Sequence, residues 1–144
     1  MSGAFLFLYE TTKSKIINLI NMKEEKEINW LSEPEQHNYP AALSFLSLIY
    51  NDNKSADLVK ALEKAEVRKY KAKDIFRAAN VSLLGVSNLH VEKDRKKIKN
   101  EVPLSPILLV RDTDNTKLII ADGYHRMCAV YSFDEDVFIY CKIV

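Results

Sequence analysis

The densest chemistry in this sequence lies in five consecutive residues, Asp122, Gly123, Tyr124, His125 and Arg126. An apolar run at 118–121 (LIIA) precedes them, and residues 127–131 follow with the composition of a helix. A helix that starts directly after a buried strand points its unpaired N–H groups, and the positive end of its dipole, at whatever lies in front of it. Such a start binds anions, phosphate above all. Gly123 permits the tight turn and lets a phosphate approach without meeting a Cβ. His125 and Arg126 add donors in the first turn, Arg126 with a fork that suits phosphate oxygens. Asp122 has two readings, a helix cap or a carboxylate that helps hold Mg²⁺ through its waters. Singly, each residue has an ordinary role, as a turn glycine, a surface histidine or an ion-paired arginine. Their occurrence together between strand and helix points to an anion site.

The flanking sequence must supply the elements that hold this turn. Pro106 introduces residues 107–110 (ILLV), a continuous apolar run of the kind buried on both faces. Residues 112–115 (DTDN) read as a turn, so 107–110 and 118–121 form a hairpin. Residues 134–136 (DED) break the helix after the turn, and Val137, Ile139, Cys141 and Ile143 alternate along a last strand. Upstream, residues 67–72 (VRKYKA) read as a basic edge strand, followed by a helical turn through Asp74, Ile75, Phe76 and Arg77. A loop at 78–88 leads into a basic helix at 91–99, where only Val91 and Ile98 are clearly apolar.

The first half reads as helical. Pro40 suits a first helical turn, and Ala41, Ala42, Phe45, Leu46, Leu48 and Ile49 recur at helical spacing as far as the polar stop near Asn51. Ser55 is the expected N-cap of a second helix carrying Leu58, Ala61, Leu62 and Ala65 on one side, and the short connection predicts a helical hairpin. Before these, Ile16, Ile17, Leu19 and Ile20 suggest a helix and residues 4–9 suit a strand, while 23–27 (KEEKE) reads as a solvated face. The expected organisation is a helical extension at 1–65 packed on a domain at 66–144.

Composition bounds the function. The 144 residues match one domain at roughly 150 residues each, and 47% of them are hydrophobic, enough for a core. Net charge is 21 − 20 = +1, so nothing global draws the chain to nucleic acid or anionic lipid, and any phosphate binding is local. Cysteines number 2, which excludes a disulfide scaffold and predicts free thiols at Cys128 and Cys141. No apolar stretch reaches the roughly 20 residues of a membrane span, and 4–9 is short for a signal peptide. A cytoplasmic protein without membrane contact is expected.

Residues 105–144, with SPILLV, LIIADGYHRMCAVY and VFIYCKIV, resemble the ParB/sulfiredoxin superfamily, whose Gly-x-x-Arg motif at a helix start is matched by Gly123 to Arg126. Extended back through 67–72 and 91–99, the resemblance covers the last 78 positions. It implies an α+β fold, a small mixed sheet curled into a partly open barrel with flanking helices, here preceded by a helical segment. It also implies a bound nucleotide, ATP, ADP or CTP with Mg²⁺, its phosphates on Gly123, Tyr124, His125 and Arg126. Arg77, Lys93 and Lys97 are further candidates around those phosphates; Lys96 shares their charge, but helical spacing cannot bring all three lysines to one point.

Departures from the family pattern narrow the chemistry. Tyr124 stands where sulfiredoxins carry their nucleophilic cysteine, so sulfinic-acid reduction is not expected. The helices outside the resemblance precede it, and their faces look apolar without a basic recognition surface, so direct DNA binding is not expected. Kinases of free serine share the Asp-Gly-x-His-Arg pattern, yet residues 76–91 contain no Asp or Glu to serve as general base, leaving Asp74 or Glu92 at the edges. Three readings follow. The first is an ATPase or phosphotransferase in which Asp122 positions the metal and His125 and Arg126 stabilise phosphoryl charge. The second is a non-catalytic nucleotide-sensing module that meets a partner or second copy through its amino-terminal helices. The third keeps the fold without a ligand, Asp122 capping and Arg126 in a salt bridge.

Overall fold

The chain forms, in order, α1 (Ser2–Glu24), α2 (Asn38–Leu46), α3 (Asp52–Lys64), β1 (Arg68–Lys71), α4 (Ala72–Ala79), α5 (Leu89–Lys99), β2 (Ile107–Asp112), β3 (Lys117–Asp122), α6 (Tyr124–Phe133) and β4 (Phe138–Ile143). This computed structural model describes residues 2–24, 27–85 and 88–144. Expectations resting on Met1, on Glu25 and Lys26 of the charged run, and on Val86 and Ser87 of the 78–88 loop lie outside the described residues.

Alternation along β2 sets the architecture. Ile107 and Leu109 enter one apolar cluster with α4, α5 and α6, whereas Leu108 and Val110 enter a second with α2 and α3. Both faces of the strand are therefore covered, which is why its apolar run is unbroken. β3 pairs antiparallel with β2 as the hairpin pattern predicts, and β4 joins β2 in parallel and β1 antiparallel. The result is a mixed α+β structure whose open sheet of 4 strands runs β1-β4-β2-β3.

Several local expectations change. Asn51, not Ser55, caps α3, its side chain accepting from Lys54 N at 2.8 Å, and Ser55 is buried inside the helix. Residues 4–9 continue α1 and do not form a strand. In α2 the buried positions are Asn38, Tyr39, Ala42 and Leu46, so Ala41, Phe45 and Ile49 are left facing outward with Leu48. The helix ends at Leu46, and a turn carries the chain to Asn51.

The amino-terminal half is tied to the sheet by long-range contacts. Lys142, on the α2–α3 face of β4, is 3% exposed; its Nζ contacts Glu33 at 2.8 Å and donates to Glu63 O at 3.1 Å. Trp30 stacks on Tyr140 with ring centroids 5.6 Å apart, and Leu31 N donates to Leu104 O at 2.8 Å. By contrast α1 leaves Phe5, Leu6, Phe7 and Leu8 exposed.

Candidate functional site

β3 ends at Asp122, and Gly123 turns the chain into α6. Gly123 has φ +107°, in the left-handed region, and is the N-cap of α6. A Cβ there would stand 2.8 Å from Ile107 Cβ, so both the backbone angle and the packing on β2 require glycine. Asp122 does not cap the helix, and among the described residues no side chain bonds to its start. Instead its Oδ2 accepts from Arg126 Nη2 at 3.0 Å, a contact that the i,i+4 spacing makes natural once Arg126 points back along the helix. The Arg126 Nε is buried and has no hydrogen-bond partner among the described residues. A buried donor without a partner costs about 1–3 kcal/mol, a deficit an incoming acceptor could relieve.

The opposite wall is α5. Asn88 caps it, accepting from His90 N at 3.0 Å and Val91 N at 3.2 Å. Positions 90, 93, 94 and 97 then share one helical face. That face and the start of α6 enclose a polar cavity of about 240 Å³, lined by His90, Lys93, Asp94 and Lys97 from α5 and by Asp122, Gly123, His125 and Arg126. The His90 and His125 rings lie 4.9 Å apart, centroid to centroid. Lys93, Lys97 and Arg126 outnumber Asp94 and Asp122 in this cup.

Burial pushes the Asp94 carboxyl above the usual range, although Lys97, Arg126, His125 and His90 all pull it down. Its nearest cation is Lys97, at 3.9 Å. Sequence reasoning passed over Asp94 and His90. The i, i+3, i+4, i+7 spacing with Lys93 and Lys97 was the available signal.

Other expected residues are placed elsewhere. Lys96 is turned away into a separate cleft with Glu92, Arg95, Lys99 and Phe133, as helical geometry requires. Arg77 is 86% exposed, pairs with Asp74 at 3.6 Å and lines neither cavity beside α6, so the structure does not bring it to the cup. Glu92 and Asp74, the edge candidates for a base, are likewise outside it.

Tyr124 leaves the cup for the other side of the turn, where its hydroxyl donates to Ser82 O and burial raises its phenol above the ordinary value. Cys128, one turn later, is buried, and burial raises its thiol; Cys141 is pushed up to about 12, again by burial. Neither thiol has the environment of a nucleophile, which needs a stabilised thiolate.

A second, larger cavity of about 710 Å³ adjoins the cup and shares Asp122, Gly123 and His125 with it. Its walls are β3, Phe45 of α2 with Ile49 of the turn after it, and residues 79–82. Among the described residues no helix is long and apolar enough to cross a membrane, and no group of three or more His, Cys, Asp or Glu could hold a metal ion. Comparison with family models, curated proteins and solved structures gives no match.

Proposed function

We propose that this chain binds the phosphates of a nucleotide of the ATP or CTP type, together with Mg²⁺, in the cup between α5 and α6, and that it belongs to the ParB/sulfiredoxin superfamily with that family's partly open barrel. One observation carries the reading: the uncapped start of α6 faces a cavity that gathers Lys93, Lys97, His90, His125 and Arg126 around it. In this reading Arg126 exchanges the Asp122 carboxylate for phosphate oxygens, Lys93 and Lys97 close from α5, and His125 donates to the phosphoryl group. Asp122 fits a role toward Mg²⁺, because that ion commonly takes one or two carboxylates and completes its shell with waters and phosphate oxygens. Bound Mg²⁺ supplies neutralisation of phosphate charge. The test is thermal melting with Mg-ATP, Mg-ADP and Mg-CTP. Binding to the native state alone raises stability by about 2.7 kcal/mol at a hundredfold excess over Kd. No shift with any of the three, or an equal shift in Arg126→Ala, overturns the reading.

A second reading, nucleotide sensing without turnover, is favoured by the engagement of both acids in the cup. Asp122 is held by Arg126 and Asp94 lies against Lys97, so no separate carboxylate stands ready as a general base. In that case the amino-terminal helices, with the exposed apolar residues of α1, supply a surface for a partner or a second copy. Binding with no phosphate release over hours selects this reading over ATPase or phosphotransferase chemistry.

A further inference from the structure

The two edges of the sheet are built differently. β1, at one edge, reads RKYK, and charged residues of this kind deter further strand pairing. β3, at the other, reads KLIIAD, and among the described residues its backbone bonds only to β2. All six residues of β3 line the 710 Å³ cavity, so its unpaired edge lies within a groove and not on a flat surface. Phe45 of α2 and Ile49 of the turn after it, both exposed, form one bank, and residues 79–82 form the other. At roughly 3.3 Å per residue the groove accommodates about six residues of extended chain.

We infer that this groove takes an extended, apolar peptide segment of a protein partner, which adds to β3 as a fifth strand and sets an acidic residue at the Asp122 end. Backbone N–H and C=O groups of β3 supply the pairing, and Phe45 and Ile49 receive alternate side chains. The acid follows from charge complementarity: at Asp122, Gly123 and His125 the groove opens into the cup, where Arg126, Lys93 and Lys97 outnumber Asp94 and Asp122. Only this last feature rests on the anion-site reading above. A strand seated on β3 with an acidic end competes with nucleotide phosphates for one cup, which makes the peptide groove and the nucleotide site mutually exclusive in part.

The test pans a heptapeptide display library on the full chain, then synthesises the selected peptides and measures their binding by fluorescence polarisation. Selected sequences are expected to alternate apolar residues and carry Asp or Glu at one end. N-methylation of one alternating set of residues should lower affinity by about tenfold or more while the other set tolerates it, since only one set faces β3. Phe45→Ala and Ile49→Ala, at exposed positions, should weaken binding without lowering Tm. Arg126→Ala should weaken the acid-ended peptide but not its amide counterpart, and Mg-ATP should compete with the former. No enriched sequence, or equal tolerance of both N-methylated sets, overturns strand addition. Alternation-dependent binding that neither Arg126→Ala nor Mg-ATP affects overturns the shared cup and leaves the groove assignment standing. Loss of nucleotide shifts with peptide binding intact counts against the nucleotide reading alone.

Discussion

Arg126 holds Asp122 at 3.0 Å across one helical turn, with the left-handed Gly123 between them at the head of α6. The free chain thus keeps its own carboxylate against the guanidinium that a phosphate would need. This pair is partly buried, 16% and 19% exposed, so breaking it has a larger effect than breaking a surface bridge.

Removing the resident carboxylate should therefore strengthen metal-free anion binding. Asp122→Asn is expected to raise affinity for tripolyphosphate without Mg²⁺ by about threefold to tenfold, in the range of one charge-assisted hydrogen bond. The same variant should lose the benefit of added Mg²⁺, and Arg126→Ala should bind neither form. Isothermal calorimetry checks this; equal affinities in parent and Asp122→Asn would show that the pair does not gate the cup.

Asp94 gives a pH signature. Its folded carboxyl is raised, chiefly by burial, so the folded chain holds the proton more tightly than the unfolded chain. The sign follows: its contribution is most favourable below the ordinary Asp value of 3.8 and is lost as pH rises through the higher folded value. Asp94→Asn should be more stable than the parent at neutral pH, with the advantage vanishing in acid, and should bind phosphate more tightly. Urea titrations across pH 3 to 7 would reveal a pH-independent difference if the assignment is wrong.

Gly123→Ala should lower stability by about 2–3 kcal/mol, from the strain of a positive φ and the contact with Ile107. Trimming Ile107 to Ala in the same chain removes its Cγ2 but leaves its Cβ, 2.8 Å from the added Cβ, and does nothing for the backbone strain. The double variant should therefore recover less than a simple clash predicts, as read from denaturant midpoints.

Leu46 and Leu62 are buried against Leu108 and Val110, so α2 and α3 share a core with the sheet. Leu46→Ala should cost about 2–5 kcal/mol and destabilise the whole chain in one transition. Trp30 fluorescence and far-ultraviolet circular dichroism should report the same midpoint. Two separated transitions would mean that the helices unfold apart from the sheet.

Lys142 sets the alkaline limb. Burial lowers its ammonium, but hydrogen bonds to Glu33 and Tyr39 and their charges outweigh that, leaving it above 10.5. Its stabilisation is complete below 10.5 and is lost as pH rises through the higher folded value. Lys142→Met should flatten the fall in Tm above pH 10; an unchanged slope would place the alkaline transition elsewhere.

What was legible beforehand depended on local pattern. Residues 107–110 and 118–121 announced a buried hairpin because a strand covered on both faces has no polar alternation to display. The cap of α3 was misjudged because Asn51 and Ser55 are both competent acceptors, and the choice depended on which turn of chain Leu62 and Val59 could bury. The outward placement of Phe45 and Ile49 was hidden because helical spacing marks an apolar face without saying how much of it the sheet will cover.

By itself the amino-acid sequence determined the strand, glycine turn and helix start at residues 118–131, since these depend on short-range geometry and on the absence of one Cβ. Tertiary structure alone decided that α5 turns His90, Lys93, Asp94 and Lys97 toward that start, and that Arg77 stays outside. It also decided that α2 leaves an apolar groove beside β3. These are relations between residues distant in sequence, set by how helices pack on the two faces of one sheet, and no local periodicity encodes them.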